Sequence, residues 1–209
     1  MTELTRRYTA VCYGTALSYG GNQAKSRNAD IRKCGCGVIA ALDLLLYLKG
    51  QKAPIEEAEY DRYADTLRRR YFPLMPPLGM NALVLLAGMN RLLKKLAVPL
   101  KASWVGFGPD IWFKVADMLA RNIPAIMAVG PNFPLVWQQN RLSLYRKTAA
   151  EEYTKCSAVK AHFLTVTAMD AVWLRVSTWG VKLYIKLEEF ESYAAKQSGR
   201  ILSGVLYIK

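Results

Sequence analysis

Cysteine and histidine are scarce in this sequence, whose 209 residues include four cysteines and a single histidine. Small secreted domains that depend on disulfides carry cysteine much more densely, so we predict free thiols in a reducing compartment. The longest apolar run, residues 38–48, is interrupted by Asp43 and is too short to cross a bilayer. The first eight residues carry Glu3, Arg6 and Arg7 and lack the continuous apolar stretch of a secretory signal. We therefore expect a cytoplasmic location.

Motifs for phosphate, nucleic-acid and zinc binding are also missing from the sequence. It has no glycine-rich phosphate loop, no RNA-binding aromatic motif and no zinc-finger spacing, and we expect no cofactor. Acidic residues are in the minority, because 29 Lys and Arg face 16 Asp and Glu, for a formal net charge of +13. The basic residues are dispersed along the chain, which is typical of a solvated basic surface. An anionic partner such as nucleic acid is the alternative.

The order of the predicted elements indicates an α+β fold. A chain of this length fits a single domain spanning residues 1–209. Helical periodicity and capping residues dominate the first part, whereas the last third has the composition and partial alternation of strands. We predict helices at 38–48, 54–71, 81–96, 110–121 and 187–196, and strands at 101–105, 123–129, 141–146, 162–169, 173–177, 182–186 and 201–208. Helices followed by antiparallel strands are typical of α+β proteins.

A cysteine pair stands where a polar loop meets the most apolar helix of the sequence. Residues 18–32 are rich in Gly, Asn, Ser and charge, and the chain then passes through Cys34, Gly35 and Cys36 into the apolar run. Partial positive charge at a helix N-terminus favours a thiolate, so we expect a lowered thiol pKa at this position. The only histidine, His162, begins the first strand of the C-terminal part and is the predicted acid and base partner.

The residues around this pair resemble the papain-like cysteine peptidases, and especially the C39-like group. Cys36-Gly37 followed by an apolar helix is similar to the nucleophile helix of that family. Four further segments follow in the family's order between Cys34 and Tyr193. They are a helix, turn and proline-led strand at 115–129, the histidine strand at 161–170, a Ser-Thr-Trp-Gly turn at 177–180 that resembles the Asn-Ser-Trp-Gly turn of papain, and a closing helix that begins at 187–190.

The resemblance implies a papain-like fold, with a helical N-terminal part whose nucleophile helix packs on an antiparallel sheet. It also implies a peptide or amide substrate, with Cys36 as nucleophile and His162 as acid and base. Helix register favours Cys36 over Cys34 as the nucleophile. Ser177 occupies the position of the family's histidine-orienting Asn or Asp, and a serine orients an imidazole more weakly.

The oxyanion-stabilising glutamine of the family has no unambiguous counterpart. Gln23 and Asn28 are the candidates, although both lie further upstream of Cys36 than the family pattern requires. Asp30 stands at the expected spacing, and a carboxylate there would oppose an oxyanion. A zinc site built from the cysteines and His162 is a minor alternative, because the paired ligand spacing of such sites is missing.

Two function classes follow from these observations. The first is a cysteine peptidase or related thiol-dependent amide hydrolase or acyl-transfer enzyme. The second is a catalytically impaired papain-like binding module that uses its basic surface for an anionic partner. Asp43 stands apart from both, because it falls on nearly the same helix face as Cys36 within an apolar run. We predict a structural anchor, bound to backbone amides or an arginine, in preference to a catalytic role.

Overall fold

One large antiparallel sheet organises the fold. The computed structural model describes residues 1–132 and 140–209 of the chain. Its α-helices are α1 (Ala29–Cys34), α2 (Cys36–Leu48), α3 (Glu57–Arg70), α4 (Ala82–Lys95), α5 (Ile111–Ala120) and α6 (Leu187–Tyr193). Its strands are β1 (Thr2–Glu3), β2 (Val11–Tyr13), β3 (Ala16–Leu17), β4 (Ile55–Glu56), β5 (Ala102–Gly106), β6 (Ala125–Val129), β7 (Leu142–Lys147), β8 (Tyr153–Val159), β9 (His162–Met169), β10 (Trp173–Thr178), β11 (Val181–Lys186) and β12 (Gly204–Ile208).

The strand order of the large sheet places β9 near its centre. The order is β5-β12-β6-β9-β10-β11-β7-β8, and β1 pairs with the far end of β9. All of these pairings are antiparallel. A small second sheet has the order β3-β2-β4. The predicted α+β class is therefore confirmed.

Helix α2 is the buried helix of the structure. Its residues from Gly37 to Tyr47 are all buried, and the helix packs against β9 and β6. A helix that is apolar all round has no preferred solvent face, which explains this central position. Strand β6 is buried along its whole length, and β9 is buried from His162 to Ala168. The N-terminus of α2 therefore meets the start of the central strand β9.

The structure contains helix α1, strand β8, strand β1 and a small sheet in addition to the elements predicted from sequence. Helix α1 forms within the predicted loop, because Asn28 accepts hydrogen bonds from the amides of Asp30 and Ile31 and Ile31 is fully buried. Strand β8 lies at the edge of the large sheet, and all its residues except Val159 are exposed or half-buried, so its sequence lacks apolar alternation. The small sheet consists of strands of two or three residues, which are too short to give a periodic signal.

The last predicted helix, 187–196, changes character near its end. Helix α6 ends at Tyr193, and residues Ala194–Ser198 continue as a π-helical segment. Within residues 1–132 and 140–209, no helix has both the length and the apolar character needed to cross a membrane.

Candidate active site

Cys36 is the first residue of α2 and faces the start of β9. Its Sγ accepts a hydrogen bond from the backbone amide of Phe163 at 3.5 Å, and part of the side chain remains accessible. A side chain at Gly37 would meet Met80 Sδ at 3.0 Å and the Phe163 ring at 3.1 Å. The glycine at 37 thus allows close approach of the strand that carries Phe163. Cys36 is therefore held beside Phe163, the residue that follows His162 in the chain.

His162 opens β9 and is fixed by the neighbouring strands. It pairs with Val129 of β6 and is 9% exposed. Its Nε2 shares a hydrogen bond of 2.7 Å with Thr178 Oγ1 at the end of β10. The Trp179 ring lies over the same region, with its centroid 5.1 Å from that of the imidazole. The structure therefore brings together Cys36 and the histidine strand, as predicted from the sequence.

The histidine-orienting residue differs from the one predicted. Thr178, and not Ser177, contacts the imidazole, whereas Ser177 Oγ donates to the Tyr19 carbonyl at 2.7 Å. Successive residues of a strand point to opposite faces, so only one of the two can reach His162. The prediction of Ser177, which rested on the position of the Trp-Gly pair in the turn, is one residue away from the side chain that contacts the ring. Val176, Ser177 and Thr178 are all buried, so a pattern of alternating burial does not distinguish the two candidates.

Gln23 and Asn28, the oxyanion candidates, have different positions. Gln23 lines the same cleft as Cys36 and Trp179, and its Nε2 makes a long contact of 3.4 Å to the Arg32 carbonyl. Asn28 caps α1 and donates from Nδ2 to Asp65 Oδ1 at 2.8 Å, which makes it a structural residue. Its predicted oxyanion role is therefore not supported by these contacts.

Helix α1 explains the unusual spacing between Gln23 and Cys36. The helix occupies residues Ala29–Cys34, between the short 3-10 turn at Gln23–Lys25 and the start of α2. The chain thus leaves the cleft after Gln23 and returns to it at Cys36. Asp30, which stands at the family's usual spacing, lies on α1 with its carboxylate 3.6 Å from Arg68. It is not among the residues that line the cleft.

A cleft that opens to solvent lies beside Cys36, with about 250 Å³ of space that includes the solvent at its mouth. Its walls come from α2, from the loop before α1, and from β9 and β10. Its lining residues are Gly21, Gln23, Cys36, Ile39, Ala40, Asp43, Phe163, Leu164, Thr165, Ser177, Thr178 and Trp179. The cleft therefore joins the cysteine, the histidine-orienting threonine and the glutamine to a polar group at Asp43.

Cys34 lies outside this arrangement. It is buried at the end of α1, and its Sγ donates to the Asp30 carbonyl at 3.3 Å. Burial raises the pKa of its thiol, and the nearby Asp30 carboxylate raises it further. Among residues 1–132 and 140–209, no three His, Cys, Asp or Glu side chains are placed to hold a metal ion together.

The charge state of the cysteine–histidine pair differs from the sequence-based expectation. Burial raises the pKa of the Cys36 thiol, and the amides of Phe163 and Gly37 offset this effect only in part. Burial also lowers the pKa of His162 to about 4. The predicted lowering of the thiol pKa by the helix N-terminus is therefore wrong, because desolvation outweighs it. At neutral pH the pair consists of a thiol and a neutral imidazole.

The pH dependence of alkylation provides a direct check of this charge state. We expect the rate of Cys36 modification by iodoacetamide to rise with a midpoint above the ordinary cysteine value of about 8.5. The reason is that the thiolate is the reacting form and burial raises the pKa of Cys36. Peptide mass spectrometry gives the rate at each pH, with N-acetylcysteine as reference. A midpoint below that of N-acetylcysteine, lost in His162→Ala, would instead indicate a thiolate–imidazolium ion pair.

Asp43 is anchored mainly by tyrosines. Its carboxylate accepts from Tyr60 Oη at 2.7 Å, from Tyr8 Oη at 3.3 Å and from the Gly21 amide at 3.0 and 3.1 Å. Of the two predicted kinds of partner, a backbone amide is the one found, and two phenols bind the carboxylate in addition. Burial raises the pKa of this carboxyl to about 7, although all three donors lower it.

Comparison with known proteins gives no family for the chain. No model of a protein family matches it, and a search of curated proteins finds no match. The functional assignment accordingly rests on the geometry of the cleft.

Proposed function

We propose that this protein is a thiol-dependent amide hydrolase or acyl-transfer enzyme with a papain-like fold. The observation that carries the proposal is the contact between Cys36 Sγ and the amide of Phe163, directly beside His162 in an open cleft. The partly exposed thiol lies where a helix N-terminus faces the strand that begins with His162, whose imidazole is oriented by Thr178. This combination of nucleophile, base and orienting group is typical of nucleophilic catalysis.

The arrangement of elements supports the papain-like part of the proposal. A buried helix that begins with the cysteine packs against an antiparallel sheet whose central strand begins with the histidine. The turn at Trp179 and Gly180 joins β10 to β11 next to His162, and both residues have positive φ values of 52° and 74°. These are the features that the sequence resemblance implied.

His162 acts as a general base in the proposed acylation. Because its Nε2 binds Thr178, Nδ1 is the nitrogen that exchanges a proton with Cys36. His162 takes the Sγ proton as sulfur attacks the carbonyl carbon, and the carbon–leaving-group bond breaks as the tetrahedral intermediate collapses. The imidazolium then donates its proton to the leaving amine, and water or a second amine releases the acyl group from the thioester. Peptide hydrolysis, deamidation, transpeptidation and isopeptide cleavage share this acyl step.

Two kinds of donor face the developing oxyanion. The first amides of α2 have no acceptor within the helix, so the backbone at Cys36 supplies N–H groups at the cleft. The side-chain amide of Gln23 lines the same space. Each donor of this kind is worth about 10²–10³ in rate when it is aimed at the oxyanion.

The proposal is tested with an ester that has no side-chain selectivity. We expect p-nitrophenyl acetate to acetylate Cys36 with a burst of p-nitrophenolate close to one equivalent of protein. Peptide mass spectrometry locates the acetyl group, and the exposed Cys156 serves as the internal reference for unassisted reaction. Acetylation of Cys36 no faster than that of Cys156 would overturn the assignment.

Binding of an anionic partner is the second candidate, favoured by a patch of exposed cations. Helix α4 packs against β5. At the start of β5 the Lys101 amide donates to the Lys209 carbonyl at 2.7 Å, and the Lys209 amide donates to the Lys101 carbonyl at 2.9 Å. The exposed side chains of this patch are Arg91, Lys94, Lys95, Lys101 and Lys209. None of them forms an ion pair with another residue in the described part of the chain. A salt-dependent mobility shift with mixed nucleic acids, lost in Lys94→Glu/Lys95→Glu, is the expected result. Absence of a shift at low salt contradicts it.

A further inference from the structure

The buried Asp43 connects the nucleophile helix to the loop that carries Gln23. It lies seven residues after Cys36 on α2, close to two helical turns away, and is 2% exposed. Both of its carboxylate oxygens accept from the amide of Gly21, at 3.1 and 3.0 Å. Gln23 follows two residues later and lines the cleft with Cys36. Helix α2 thus holds both the thiol of Cys36 and the backbone of the loop at Gly21.

The loop is fitted against Asp43 without room for a side chain. Gly20 has φ +80°, and a Cβ added there would overlap Ser177 Oγ and Asp43 Oδ2. A Cβ added at Gly21 would overlap the Tyr60 hydroxyl. The two glycines therefore permit a close approach of the backbone to α2 and β10 that other residues would prevent.

A second side chain holds the same turn from the strand side. Ser177 Oγ donates to the Tyr19 carbonyl at 2.7 Å, one residue before Gly20. The Gly20 amide donates to the Thr9 carbonyl at 2.8 Å, and the Asn22 amide donates to Tyr13 Oη at 2.8 Å. The backbone is thus fixed at successive residues up to the one before Gln23. This network explains the burial of Ser177, whose role is different from the one predicted.

We propose that Asp43 is a positioning residue, which fixes the side-chain amide of Gln23 relative to Cys36 through the turn at Gly20 and Gly21. The inference rests on the proposed acylation chemistry. It gives the oxyanion site a supporting residue that acts through the backbone of the loop. Asp43 holds the donor in place and does not itself contact the substrate.

The ionised carboxylate suits this role better than a neutral group. Only the anion accepts from Tyr8, Tyr60 and the Gly21 amide without offering a competing hydrogen. The titratable groups that face it are Tyr8 and Tyr60, which donate to the carboxylate, and Tyr13, whose pKa is raised in part by the Asp43 charge. The pKa of Asp43 is raised to about 7, so the anion is lost as the pH falls through neutrality. The acylation rate is therefore expected to fall below pH 7.

The test compares two reactions of Cys36 in Asp43→Asn. Acylation by p-nitrophenyl acetate forms an oxyanion, whereas alkylation by iodoacetamide does not. We expect acylation to fall about tenfold or more, a share of the 10²–10³ that one donor supplies, while alkylation stays within about twofold. The acidic limb near pH 7 is expected to disappear in Asp43→Asn. In Tyr60→Phe the acidic limb is instead expected to move to higher pH, because loss of a donor to the carboxylate raises the pKa of Asp43.

A double-mutant cycle shows whether Asp43 acts through Gln23. We expect Asp43→Asn to have no additional effect on acylation in a Gln23→Ala background, because the positioned group is already gone. Gly20→Ala is expected to reduce acylation as Asp43→Asn does. The matched control is Gly14→Ala, since Gly14 has a similar φ of +62° but nothing within 4 Å of an added Cβ.

The outcomes separate the inference from the proposed function. Additive effects of the two substitutions, or equal losses in acylation and alkylation, overturn the positioning role and leave the nucleophile assignment intact. Slow acetylation of Cys36 in the wild-type protein overturns the proposed function and the inference together. Thermal unfolding of each variant at the assay pH shows whether the fold is retained.

Discussion

Replacing Cys36 with alanine is expected to abolish the burst of p-nitrophenolate, a loss of about 10³-fold or more in acylation rate. In the proposed reaction the thiol is the attacking group, and its sulfur contacts the amide of Phe163 at the start of β9. The matched variant is Cys34→Ala, which removes the cysteine two residues earlier. Cys34 Sγ is bound to the Asp30 carbonyl within α1, so its removal is expected to leave the burst unchanged. Stopped-flow absorbance gives both values.

The same two variants can also contradict the assignment of Cys36 as the nucleophile. Loss of the burst in Cys34→Ala, with retention in Cys36→Ala, would show that the nucleophile is the earlier cysteine. Loss in both variants would be interpretable only beside their melting temperatures, since Cys34 is buried and its truncation removes core contacts. The partly exposed Cys36 is expected to tolerate alanine with little change in stability.

Replacing His162 with alanine is expected to lower the acylation rate by about 10²–10⁴, the range for a positioned general base. Because the pKa of His162 is lowered to about 4, the imidazole is a neutral base through the whole neutral range. Thr178→Val removes one hydrogen bond from the ring, and its expected effect is smaller, about tenfold or about 1.4 kcal/mol. Burst rates at pH 8, where Asp43 is ionised, measure both effects.

Added imidazole distinguishes loss of the base from loss of structure. We expect free imidazole to restore part of the rate in His162→Ala, because it can occupy the space left by the ring, and to have no effect in Thr178→Val. A His162→Ala variant that keeps the wild-type burst would show that Cys36 reacts without this histidine. The thiol would then have to be activated by the helix N-terminus alone, against the effect of burial.

The elements that carry the site were predictable because their signals are local. An apolar run that starts after a Cys-Gly pair and ends at Lys49 and Gly50 indicates a buried helix without knowledge of its neighbours. The strand that begins at His162 follows from its composition in the same way. Helix α2 and strand β9 accordingly start at the residues of interest, and the α+β class follows from the order of the elements.

The remaining features depend on distances between residues far apart in sequence. The choice between Ser177 and Thr178 is a matter of one residue of register, which a turn motif does not fix. The pKa of Cys36 depends on two opposed effects, helix dipole and desolvation, and only the packing of β9 shows which is larger. Asn28 and Gln23 can be told apart only once α1 is known, because Asn28 caps that helix and Gln23 lines the cleft.

The glycine after Cys36 has a consequence for how the site tolerates change. At position 37 the backbone of α2 lies against the Phe163 ring and the Met80 side chain, whose nearest atoms are 3.0 to 3.2 Å from the place of a missing methyl group. The distance between α2 and β9 is thus set by two side chains packed on a residue that has none. A larger residue at 37 would have to displace one of them or move the N-terminal end of α2 away from β9. The gap between the Cys36 sulfur and the histidine strand therefore depends on this one position remaining small.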